Sequence, residues 1–82
     1  MLENLKKSKK TIGMKQSLKA VETGAARMVF VARDADEKVT GNLVRICEQA
    51  SVEVHYIDTM KQLGKACGID VGAAAVALLK DT

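Results

Sequence analysis

The chain has 82 residues, 48% of them hydrophobic and 28% charged, with a formal net charge of +3 at pH 7. That balance suits one small globular domain over residues 1–82 and excludes a disordered polyelectrolyte. With one Phe, one Tyr and no Trp, the core must be aliphatic, and modules that stack single-stranded bases on exposed aromatics are excluded.

Taken in chain order, Leu2 to Lys10 reads as a short, weakly amphipathic helix with Leu2 and Leu5 on its apolar side. Thr11-Ile12-Gly13 breaks that pattern as a short strand. A second helix runs from Met14 to Thr23, where Met14, Leu18 and Val21 share one face and Gly24 supplies the stop. Met28 to Ala32 is a continuous apolar run, the mark of a strand covered on both faces. Asp36 is placed to cap a third helix that ends near Ala50, with Val39, Leu43, Ile46, Cys47 and Ala50 along its apolar stripe.

Val52 to Ile57 alternates as a strand. Thr59-Met60-Lys61-Gln62 is a capping-box pattern and opens a fourth helix, which Gly68 ends. Ala73 to Leu79, mostly Ala and Val, is the last strand, with side chains small enough for a helix to pack close above it. Strands alternate with helices across short connections. The expected class is therefore α/β, a mixed, mostly parallel four-stranded sheet carrying helices on both faces.

Basic charge is concentrated at the start. Met1 to Arg27 hold seven basic and two acidic residues, whereas Met28 to Thr82 hold six basic and eight acidic. Such asymmetry fits either a polyanion footprint or a solvated, solubilising segment. No apolar run approaches the roughly 20 residues needed to span a bilayer. Nothing resembles an export signal, so a cytoplasmic protein with no membrane partner is expected. Cys47 and Cys67 should then be reduced and buried.

An enzyme is not expected. The single His55 lies mid-strand beside Tyr56, with no nucleophile placed against it. Two Cys and one His, widely spaced, give no metal pattern, and helix capping explains the carboxylates of Asp34, Asp36 and Glu37. The glycines of Gly64-Lys65-Ala66-Cys67-Gly68 lack the spacing of a phosphate-cradling loop, so no nucleotide cofactor is implied. More informative is Gly13-Met14-Lys15-Gln16-Ser17-Leu18-Lys19. Gly13 opens a helix whose first backbone N–H groups are unpaired, with Lys15 and Lys19 four residues apart and Gln16 beside them. These residues form either a site for phosphate and a base edge or an ordinary solvated helix face.

Three segments together resemble the L-seven-A-e and thirty-e ribosomal protein family, which includes the box C/D snoRNP core protein. Leu63 to Val71 (Leu-Gly-Lys-Ala-Cys-Gly-Ile-Asp-Val) is similar to the family's signature loop. Gly13 to Lys19 is similar to its Gly-x-Asn-Glu-x-x-Lys helix start, and Val29 to Asp36 to its strand and acidic turn. The order matches, nearly the whole chain is covered, and the length suits short bacterial members. The resemblance implies a three-layer α/β/α sandwich. It also implies binding to kink-turn RNA, a helical motif with a three-nucleotide bulge beside tandem sheared G·A pairs.

By the same resemblance, Gly13 lets the backbone approach RNA, Lys15 and Gln16 face the guanine edges, and Lys19 holds phosphate or a guanine oxygen. Ile69, Asp70 and Val71 shelter the extruded nucleotide, with Asp36 near it and Arg33 on phosphate. Ile69 and Val71 could instead be simple core residues, and Asp36 simply a cap. The expected partner is ribosomal or riboswitch-type RNA, with a place on the ribosome and a monomeric state. The family's Asn and Glu are Lys15 and Gln16 here. Lysine can donate but not accept, and Gln16 accepts without a full charge. The alternative that these departures raise is a protein-interaction module that keeps the fold without specific RNA binding.

Overall fold

A computed structural model describes residues 5–80 of the chain. The described residues form four strands and three helices: β1 (Lys10–Ile12), α1 (Met14–Glu22), β2 (Ala26–Ala32), α2 (Glu37–Gln49), β3 (Glu53–Ile57), α3 (Met60–Ala66) and β4 (Ala75–Leu79). They build one sheet in the order β1-β4-β2-β3.

The α/β class and the mixed four-stranded sheet are as expected, but its pairing is not mostly parallel. Only β2 and β3 pair parallel; β4 runs antiparallel to both β1 and β2. The reason lies in the last connection. Ala75 of β4 pairs with Val31 near the C-terminal end of β2, so α3 and the loop after it leave and re-enter the sheet at the same end. Three strands point one way, and β4 inserts between two of them in reverse.

Side chains alternate across β2 and β4 and so build two cores. Val29, Val31, Ala75 and Ala77 face Ala20 and Val21 of α1 and Leu43 and Cys47 of α2. Phe30, Val76 and Leu78 face Leu63 of α3, Cys67 and Leu5. Helices thus cover both faces, and the Met28–Ala32 run is buried as its continuous apolarity implies. A register irregularity between Ala26 and Met28 leaves Arg27 exposed.

All three helices end alike. The chain turns left-handed at Gly24 (φ 76°), Ser51 (φ 57°) and Gly68 (φ 82°). At each, paired backbone bonds close the last turn, as in Gly68 N–H to Lys65 C=O at 3.0 Å and Ile69 N–H to Gly64 C=O at 3.1 Å. The starts differ. Asp36 caps α2 through its carboxylate on the Lys38 N–H at 3.0 Å, and Thr59 caps α3 on the Gln62 N–H at 3.0 Å, both as the sequence implies.

Three expectations need correction. The described part of the N-terminal segment is a turn at Leu5–Lys7 followed by β1 from Lys10, not a helix; Leu2 lies outside the described residues. One nearly fully buried leucine (Leu5) does not offset the cost of nucleating so short a lysine-rich helix. On α2, Val39 and Ala50 are exposed, and the buried stripe is Thr40, Leu43 and Cys47. Finally, β4 starts at Ala75, because the N–H of Ala73 bonds instead to the Met60 carbonyl at 3.0 Å.

Candidate nucleic-acid interface

One end of the sheet gathers four chain segments, held together by backbone bonds. The Gly13 N–H donates to the Ala75 carbonyl at 2.8 Å, joining the start of α1 to the first residue of β4. The Ala32 N–H donates to Ala74 at 2.9 Å and the Arg33 N–H to Ile57 at 2.7 Å. The Asp34 carboxylate accepts from the Met60 N–H at 2.8 Å, fixing the acidic turn to the start of α3.

Gly13 has φ 107° and ψ 159°, a region that only glycine enters at low cost. The chain must adopt this shape because its N–H is committed to β4 while its carbonyl begins α1 by accepting from Ser17 at 3.0 Å. No side chain caps α1, and its first turn has no acidic residue. Its leading N–H groups therefore present partial positive charge to an outside acceptor. Lys15, Gln16 and Lys19 are exposed around them, while Ser17, Ala20 and Val21 bury the opposite face.

The loop from Ile69 to Ala74 packs onto α3 through close backbone approach at two glycines and through buried Ala73, which joins Leu63 and Cys67 in the core. A Cβ on Gly64 would collide with the Val71 carbonyl oxygen and lie 3.0 Å from its carbon. Gly72 packs similarly against Met60, at 3.1 Å from that residue's Cβ to a Cβ built on the glycine. Pinned in this way, the loop turns Val71 outward: it is 69% exposed, the most of the exposed large hydrophobic residues. Core packing therefore does not explain Val71. Ile69 is half-buried and Asp70 exposed.

The remaining expected site residues lie at the same end. Arg33 stacks over the Tyr56 ring at 5.4 Å and reaches Asp58 at 3.6 Å. Asp36 is exposed and holds the α2 start. An open groove of about 410 Å³ runs between them, lined by Arg33, Glu37, Thr40, Gly41, Val44 and Tyr56 among others. Eight of the nine expected site residues are thus at this end, and Lys19 is a turn further along α1.

Sequence reading missed three apolar members of this end. Val39, Tyr56 and Met60 are 47%, 47% and 36% exposed. Val39 fits a helical stripe by spacing, and Met60 looks like an ordinary first-turn residue. A usable signal for Met60 is its place directly after the Thr59 cap, at the exposed first turn of a helix.

Among the described residues, no three His, Cys, Asp or Glu side chains cluster closely enough to hold a metal, and no helix is long and apolar enough to cross a membrane. Cys47 and Cys67 are both free and buried, and burial pushes both thiols up.

Comparison with known proteins agrees with this architecture. The chain is 48% identical over 69 residues to RNA-binding protein TTE2299 of Caldanaerobacter subterraneus subsp. tengcongensis, covering 84% of each chain. It is 46% identical over 76 residues to RNA-binding protein YbxF of Geobacillus stearothermophilus, covering 93% of each. Among solved structures, the Giardia lamblia 15.5kD RNA binding protein superposes with a TM-score of 0.89 at 28% identity, over 98% of this chain and 71% of that one. A Bacillus halodurans protein of unknown function shares the fold at 22% identity, with a TM-score of 0.88 over 96% of this chain and 83% of that one. TTE2299, YbxF and the Giardia protein are described as RNA-binding proteins, a non-enzymatic kind. The model of the ribosomal protein L7Ae/L30e/S12e/Gadd45 family matches residues 1–82, and the chain belongs to that family.

Proposed function

We propose that this protein binds RNA and that its preferred ligand is the kink-turn, in ribosomal or riboswitch-type RNA, as a cytoplasmic monomer associated with the ribosome. The observation that carries the reading is the bond from Gly13 to Ala75. It ties the uncapped basic start of α1 to the first residue of β4, directly after the apolar loop, which supports reading the two as one surface. The relatives described as RNA-binding proteins support the coarser part of the reading.

The two patches have complementary tasks. The α1 start, with Lys15, Gln16 and Lys19, meets guanine edges and phosphates of the G·A pairs. Lysines and backbone N–H groups donate to O6, N7 and phosphate oxygens, and the Gln16 carbonyl accepts from guanine N–H groups. Val71, with Ile69 and Asp70 beside it, covers an unstacked base; Met60 and Val39 extend that apolar surface. Arg33 lies at the groove on the far side of Asp36. Binding only the bent conformer shifts the RNA population toward it. No bond of the RNA is made or broken.

Gel-shift titration decides the matter. The protein should bind a kink-turn more tightly than the same RNA with its G·A pairs replaced by Watson–Crick pairs. Equal affinity for both defeats the kink-turn preference. Capture of a polypeptide by protein free of RNA would instead favour an interaction module.

A further inference from the structure

The basic first third of the chain does not converge on the proposed interface. At that end the carboxylates of Asp34, Asp36, Glu37, Asp58 and Asp70 balance the cations of Lys15, Lys19, Arg33, Lys38 and Lys61. The excess charge lies at the other end of the sheet, where β1 and β2 begin and β4 finishes.

Backbone bonds gather it there. The Leu79 N–H donates to the Lys9 carbonyl at 2.9 Å, and the Lys80 N–H donates to the Ala25 carbonyl at 2.8 Å. Lys9, Lys80 and Arg27 are therefore carried by three neighbouring chain segments, and Lys6 and Lys7 occupy the turn that leads in. Lys7, Lys9, Arg27 and Lys80 are exposed. None forms an ion pair among the described residues, where the pairs are Arg33 with Asp58 and His55 with Glu53. Among the described residues the acidic ones at this end are Glu22, Glu48 and Glu53, and the last of these is already against His55.

Keeping unpaired cations adjacent costs repulsion that a polyanion relieves. Among the described residues the patch has no exposed aromatic for stacking, so its ligand chemistry is phosphate, read without sequence. Five residues of β4 separate it from the Gly13 end by roughly 16 Å.

We infer that this strand-end cluster of Lys7, Lys9, Arg27 and Lys80 is a second RNA contact, which grips the phosphodiester backbone of a duplex lying beyond the kink-turn. The inference rests on the RNA-binding reading but not on the kink-turn preference. The first site selects a shape; the second adds affinity for large structured RNA and anchors the protein on a neighbouring helix.

The test compares a kink-turn with trimmed stems against versions with each stem extended in turn by two helical turns. Wild-type protein should show a steeper fall of log K with log salt on at least one extended RNA. The variant Lys7→Gln, Lys9→Gln, Arg27→Gln, Lys80→Gln should lose up to about 3.6 units of that slope, at about 0.9 per phosphate released. It should match wild type on the trimmed RNA. The variant with arginine at Lys7, Lys9 and Lys80 should keep the wild-type slope, separating charge from folding. An unchanged slope on every extended RNA, or an equal loss on trimmed and extended RNA, overturns the proposal. So does binding to anionic phosphatidylserine vesicles with no dependence on RNA length. Should wild-type protein ignore replacement of the G·A pairs while the extension-dependent slope persists, the kink-turn reading fails and the second contact stands.

Discussion

Gly64 of α3 lies against the backbone carbonyl of Val71 with no space for a side chain between them. The loop carrying Ile69, Asp70 and Val71 is held by this contact and by the Gly64 carbonyl accepting from Ile69. Both are backbone features, so these two restraints do not depend on the side chains of Ile69, Asp70 and Val71. Gly64→Ala should push the loop off α3. We expect a loss of about 1–3 kcal/mol of stability, read by chemical denaturation, and weaker kink-turn binding under conditions where the variant remains folded. Unchanged stability would show that the loop shifts freely and does not need the glycine.

Gly13 makes a different demand. A Cβ there meets nothing within 4 Å, yet φ is 107°. Gly13→Ala should cost about 1–3 kcal/mol through backbone strain alone. Gly41, in the exposed middle of α2, also has open space around its Cα but ordinary helical angles. Gly41→Ala should therefore stabilise by about 0.5–1 kcal/mol. Thermal melts of the pair, moving in opposite directions, separate strain from crowding.

Gln16 stands where the family pattern has Glu. Restoring the charge with Gln16→Glu strengthens acceptance from guanine N–H groups, because charge-assisted bonds are about twice as strong as neutral ones. Kink-turn affinity should rise about threefold to tenfold, with no gain for the RNA whose G·A pairs are replaced. Weaker binding would place Gln16 against phosphate instead.

Ser51 ends α2 in the left-handed region at φ 57°, where α1 and α3 use glycine. Ser51→Gly should raise stability by about 0.5–1 kcal/mol, the strain relieved less the entropy glycine adds to the unfolded chain. Equal midpoints in urea would mean that the serine is not strained.

Burial raises the thiol of Cys47 above its ordinary value of 9.0, and that of Cys67 also, although the Lys10 ammonium partly opposes the latter. The folded protein thus holds these protons longer than the unfolded chain. Their contribution is complete below the unfolded value and is lost as pH rises through the folded one. Stability should fall as pH rises above the ordinary thiol value of 9.0, and by less in Cys47→Ala. A variant with the same pH dependence as wild type would remove Cys47 from that loss.

Much of this fold is legible in local chemistry. Asp36, Thr59, Gly24 and Gly68 mark helix boundaries because capping and left-handed turns involve only neighbours in the chain. The Met28–Ala32 run declares a two-sided strand by composition. The direction of β4 is not legible, since Ala-Ala-Ala-Val-Ala-Leu-Leu suits a parallel or an antiparallel neighbour equally. Only tertiary packing shows that α3 and its loop return to the end they left. Val39 was misread for a related reason: helical spacing marks a candidate face but not how far around the helix the core extends. At the interface, the α1 start and the signature loop could be read from motif resemblance. The outward turn of Val71 depends on Gly64 and Gly72 packing, which spacing does not encode.

The placement of β4 also bears on synthesis. This strand is the last of the described elements in chain order yet lies between β1 and β2. While the nascent polypeptide still hides residues 75–79 in the exit tunnel, β1 has no neighbour to pair with and Gly13 has no carbonyl to anchor it. Closure must wait for this sequence-distant strand, a non-local step that is slow by nature. Until then the two halves of the RNA-facing end stay apart, so RNA recognition matures only once β4 has emerged from the tunnel.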